Sequence, residues 1–129
     1  MATVNPTIVR TQDSQDSVIV ATWSGLAALN DVGAPIGFAA WSAKSFACTG
    51  TFAGTPTVII EGSNDIDNPT NWVPISNRNL TNISFTAAGI QTAKDMPLWV
   101  RPRLTAGSGG ASITVAVACH RQDMAGMAR

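Results

Sequence analysis

The chain has 129 residues, 45% of them hydrophobic and only 12% charged, with eight basic residues balancing eight acidic ones. That length suits one domain with a single core that buries roughly two-thirds of the unfolded surface, and leaves no room for a second. Zero net charge supplies no excess to neutralise phosphates or an anionic bilayer, which argues against a nucleic-acid binder and a membrane-surface protein. With about half the usual charged share of roughly 25%, the exterior gains little colloidal repulsion and is expected to be covered by partners.

Residues 1–16 read as an extended N-terminal arm followed by a wholly polar turn, Thr11 to Asp16. Terminal arms are poorly ordered unless tied down. Val4, Ile8 and Val9 would give a neighbouring subunit something to hold, the alternative being a frayed end. No basic stretch leads into an apolar core at the N-terminus, so neither a signal peptide nor a membrane span is expected. Residues 17–121 form the expected domain. Ser17 to Trp23 is β-branched and reads as a strand, and Leu26 to Val32, hemmed by Gly25, Gly33 and Pro35, as a loop with at most a turn of helix. Ile36 to Trp41 and Lys44 to Thr51 are strand candidates, the second placing Phe46 and Cys48 on one face.

Thr57 to Ser63 runs into a polar loop, Asn64 to Asn68, and returns through Trp72 to Ile75, the pattern of a strand hairpin. Asn82 to Thr86 turns Ile83 and Phe85 one way, and Ile90 to Asp95 is ambiguous. Leu98 to Ala106 alternates, with Val100, Pro102 and Leu104 opposite Trp99, Arg101 and Arg103. Pro102 removes a ladder donor, which predicts an edge strand or a bulge there. Gly107 to Gly110 reads as a hairpin connection, and Ser112 to His120 as the last strand with Ile113, Val115, Val117 and Cys119 inward. Residues 122–129 read as a C-terminal tail. About eight short strands without an amphipathic helix predict an all-β, two-sheet antiparallel sandwich resembling a jelly roll.

No catalytic constellation emerges. His120 neighbours Cys119 on a strand and must point to the other face, so the two cannot form a nucleophile–base pair. Glu61 is the single glutamate, and the aspartates cluster in loops; no enzyme and no cofactor are expected. Asn64, Asp65 and Asp67 offer oxygens to a hard cation, but Asn and Asp are also the default turn formers, and the turn is the expectation, with no metal. Cys48 and Cys119 read as buried reduced thiols, a disulfide between neighbouring strands being the alternative. Trp72 reads as core packing. Trp99, Arg101 and Arg103 suit a protein interface, since Trp and Arg are enriched among hot spots; the plainer alternative is a capping Trp beside solvated arginines.

Taken in order, several segments resemble those of small tailed-phage virion proteins. They are Gly50-Thr51-Phe52, Thr57 to Asp65, Asn71-Trp72-Val73, Ser84 to Gly89, Val100 to Leu104 and Gly107 to Gly110. These relatives are head decoration (cement) proteins and related structural proteins, and the similarity spans about residues 46–120. The resemblance implies a jelly-roll-like domain made in the host cytoplasm that binds the outside of the major capsid protein lattice as a homodimer or homotrimer and stabilises the mature head. A narrower likeness, of Ile60 to Asp65 with Asn71-Trp72, is to discoidin-like carbohydrate- or lipid-binding modules. That would imply a glycan-binding domain of a phage fibre or baseplate; a tail or neck protein is the third alternative.

Overall fold

The computed structural model describes residues 2–10, 18–38 and 43–120. Among the described residues every regular element is a strand. The short strands β1 (Thr3–Val4) and β2 (Thr7–Arg10) lead into β3 (Val18–Leu26), β4 (Val32–Gly33), β5 (Ala43–Thr51) and β6 (Thr57–Ser63). There follow β7 (Val73–Pro74), β8 (Ser84–Phe85), β9 (Gly89–Thr92), β10 (Trp99–Ala106) and β11 (Ser112–His120). One sheet runs β1-β4-β10-β6-β7, with β8 also on β6, and the other β2-β3-β11-β5-β9. From β3 to β6 the chain changes sheet at each step; after β7 and β8 it does so again through β9, β10 and β11. That wiring gives β3-β11-β5-β9 facing β4-β10-β6-β8, an eight-stranded jelly-roll sandwich with β1, β2 and β7 added at its margins.

Alternation places the core. Ile19, Ala21 and Trp23 of β3, Phe46 and Cys48 of β5, and Ile113, Val115, Val117 and Cys119 of β11 are all buried from one sheet. Val58, Ile60, Phe85, Val100 and Leu104 meet them from the other. Each such large side chain contributes roughly 1.5–3 kcal/mol by leaving water. The Lys44–Thr51 and Ser112–His120 expectations therefore match in facing as well as in type, and the Asn82–Thr86 expectation matches in facing, its strand being shortened to Ser84–Phe85.

Four expectations change. The first strand continues beyond Trp23 to Leu26 because Gly25 takes a φ of 91° at a register shift in the β3–β11 ladder, which returns Leu26 to the core. β10 is an interior strand, flanked by β4 and β6, and its irregularity lies between Leu104 and Ala106, away from Pro102. Proline is tolerated because Val100 and Leu104 send their N–H groups to Ile36 and Asp31, on the side away from β6. Pro102 shares that orientation, so its missing donor faces the short, interrupted neighbour and the β6 ladder stays whole. Residues 107–110 join β10 to β11 across the two sheets, so they are a crossover connection instead of a hairpin turn. Ile36 makes a single bridge to Val100 in place of a strand, while residues 39–41 of that expected strand lie outside the described residues.

The N-terminal segment is extended and paired: β1 lies parallel to β4, and β2 antiparallel to β3. Its anchor is the buried Asp31, whose carboxylate accepts N–H bonds from Ala2 at 2.8 Å, Ala28 at 2.9 Å and Ala27 at 3.0 Å. Burial pushes this carboxyl up, but the three N–H donors outweigh it and hold its pKa below the ordinary value. The Thr11–Asp16 turn and the 122–129 tail lie outside the described residues.

Candidate interaction face and cleft

The outward face of β10 carries Trp99, Arg101 and Arg103, all half-buried. Register sets Arg101 opposite Glu61 of β6, and the Arg101 Nε and a terminal nitrogen each reach Glu61 Oε1 at 3.0 Å. Arg103 approaches Oε2 of the same carboxylate at 3.7 Å, and its own Nε is buried without a hydrogen-bond partner among the described residues. The Arg101 guanidinium also lies over the Trp72 ring, 4.1 Å from its centre. Glu61 is thus buried on the outer sheet face beneath a lid of its partners. One carboxylate shared by two guanidiniums leaves one positive charge on this face.

Trp72 is accordingly a half-buried surface residue outside the core cluster, a correction to the core expectation. The strand reverses side-chain direction at each residue, and the one before Val73 falls on the outer face where Arg101 waits. Trp99 is a bracket: its indole N–H donates to Asp65 O at 2.8 Å, and its ring lies so close to Gly37 that a β-carbon there would sit 2.9 Å from it. Of the residues expected at an interface, β10 brings Trp99, Arg101 and Arg103 together. Val4 packs on the core beside β4, whereas Ile8 and Val9 are exposed on β2 in the other sheet.

The 64–72 loop closes on itself. Asp65 Oδ2 accepts the N–H groups of Thr70 at 2.8 Å and Asn71 at 3.0 Å, and the Asn71 amide adds a further bond. These donors hold the Asp65 pKa down to about 2. Its lone pairs are engaged by the loop's own backbone, which is the turn chemistry expected of Asn and Asp. Among the described residues no group of three His, Cys, Asp or Glu side chains converges as metal ligands. Cys119 is buried while His120 is exposed, so the two diverge as strand neighbours must.

Between this loop, β7 and residues 95–97 opens a cleft of about 560 Å3. Asp65, Asn71 and Asp95 supply polar lining, and Val73, Pro74 and Met96 the apolar part. No basic side chain lines it among the described residues. Val73 at 62% exposure and Met96 at 60% are exposed apolar side chains of this cleft, and the Leu98 N–H is latched to the loop through Asn64. Sequence reasoning missed both Glu61 as the hub of the basic face and Met96 in the cleft. The period-2 pattern puts Glu61 on the outer face, but its partners depend on the β6–β10 register, which no local signal encodes.

No family model matches the chain, and no curated protein matches it by sequence. Solved structures share its fold. The crystal structure of the SPBc2 prophage-derived protein YomS is 11% identical with a TM-score of 0.50, over 87% of this chain and 99% of that one. A cupin domain from Bordetella pertussis Tohama I is 10% identical with a TM-score of 0.45, over 95% and 99%. Chitosan-binding module 2 of a Paenibacillus sp. IK-5 chitosanase/glucanase is 17% identical with a TM-score of 0.39, over 76% and 63%. At such identities the likeness is one of fold alone, the jelly-roll-like β-sandwich already given by the strand order.

Proposed function

We propose that this chain is a phage decoration protein, which binds the outside of the major capsid protein lattice as a homo-oligomer and stabilises the mature head. The observation that carries the reading furthest is the braced Trp72–Arg101–Glu61–Arg103 cluster on a sheet face. Trp72, Arg101 and Glu61 already hold one another in place, so little of their rotamer entropy is lost when a partner docks, and the cluster's unbalanced positive charge suits an acidic surface. Weak contacts of this kind become strong when multiplied over a lattice. Preference for the expanded shell over the unexpanded one would stabilise the head by the difference in binding. One face of Trp72 is occupied by Arg101, which leaves a single face for the aromatic platform that a glycan-binding reading of this hairpin needs.

Capsids with and without the protein should differ in rupture temperature, and images of decorated particles should place its density outside the shell. Arg103→Glu, which reverses charge at a site more than a third exposed, should lower occupancy on the capsid while leaving the fold intact. Equal rupture temperatures would remove the stabilising role.

A further inference from the structure

We propose that the cleft beside β7 is the acceptor half of a head-to-tail contact between copies of this chain, and that the exposed edge strand β2 of the next copy is the donor. The cleft carries the negative charge of Asp65 and Asp95, whose oxygens already accept N–H bonds from Thr70, Asn71 and Ser76, beside the exposed side chains of Val73 and Met96. β2 offers the complement. All four of its residues are exposed, Ile8 at 47% and Val9 at 60%, and by strand alternation Ile8 and Arg10 share one face while Val9 lies on the other. Ile8 and Arg10 together put an apolar and a basic side chain on one strand face, which fits an apolar cleft rimmed by acids, and the strand itself carries no acid to oppose it.

The sheet order makes the contact repeatable. β1 and β7 are the opposite ends of one sheet, and β2, two residues after β1, ends the other. Donor and acceptor therefore lie on opposite lateral edges, and one molecule can engage both neighbours at once. Such a heterologous contact closes into a ring when the rotation between copies allows. Pro74 in β7 has no N–H to extend the ladder, so the partner enters by its side chains instead of adding as a strand. The contact uses neither Arg101 nor Arg103, and it stands or falls separately from capsid binding.

Sedimentation of the purified chain tests it. Wild type should assemble at high micromolar concentration, whereas Ile8→Ser/Val9→Ser, with a disabled donor, and Met96→Lys, with a disabled acceptor, should each stay monomeric. An equimolar mixture of the two variants should form a species of two chains and none larger, because only one intact donor–cleft pair is possible. That complementation also shows both variants to be folded. A monomeric wild type, Met96→Lys assembling like wild type through β2 paired with itself, or a mixture that remains monomeric would each overturn the contact. Loss of capsid binding by Arg103→Glu with assembly unchanged separates this contact from the capsid-facing one.

Discussion

Glu61 balances part of the charge of two guanidiniums from within the sheet surface, and removing it leaves Arg101 half-buried beneath Trp72 without its counter-ion. Glu61→Ala is expected to cost about 3 kcal/mol, most of it through Arg101, because Arg103 is open enough to turn to water. A double-mutant cycle with Arg101→Ala checks this by chemical denaturation; no coupling between the two positions would refute it. Asp65 allows a second residue-scale test. Its folded pKa of about 2 lies below the ordinary 3.8, so its contribution is fully present well above 3.8 and is lost as pH falls toward 2. Wild type should therefore exceed Asp65→Asn in stability near neutral pH, and the two curves should converge between about pH 4 and 2. Parallel curves across that window would mean that the loop bonds do not set the carboxyl. Asp65 as a turn former was readable from its neighbours, since its carboxylate accepts from Thr70 and Asn71 of the same loop. The placement of Trp72 was not, because its partner lies across the sheet on β10.

At the scale of elements, facing was readable wherever two-residue alternation persisted, as in β5, β10 and β11, since one buried face imposes it. What alternation cannot carry is which strand lies beside which. Pro102 illustrates the gap: proline within a strand suggests an edge, yet β10 is interior because its proline faces the interrupted side of the ladder. The same crossing explains Gly33. A β-carbon there would lie 2.5 Å from Cδ1 of Trp23 and 2.6 Å from Cδ of Pro102, inside a stack of β3, β4 and β10 that has no slack. Gly33→Ala is thus expected to destabilise by ~1–3 kcal/mol through overpacking, measured as a lower denaturant midpoint at unchanged slope. A neutral result would show that Trp23 can shift, which its full burial and its indole N–H bond of 2.9 Å to Ala34 O oppose.

For the whole molecule, the two thiols report how cooperative the sandwich is. Cys48 pairs with Val115 across β5 and β11, whereas Cys119 pairs with Lys44, four residues further along the same ladder. At about 3.3 Å per residue that separation is near 13 Å, too long for a disulfide. Both thiols are free and buried. Burial pushes the Cys48 pKa up to about 11 and raises that of Cys119 as well, with the nearby Lys44 ammonium partly opposing the latter. Neither should react with an aromatic disulfide reagent in the native state except through opening. β11 is bonded along its whole length between β3 and β5, so separating it from either neighbour exposes the core. Cys48, in the middle of that ladder, should therefore label at a rate whose urea dependence equals the equilibrium unfolding slope. Cys119, one residue from the end of β11, should label faster if that end frays locally. Comparing the two sites by mass spectrometry decides the matter: a shallow urea dependence at Cys48 would mean that the two sheets open independently, and that the sandwich is not one cooperative unit.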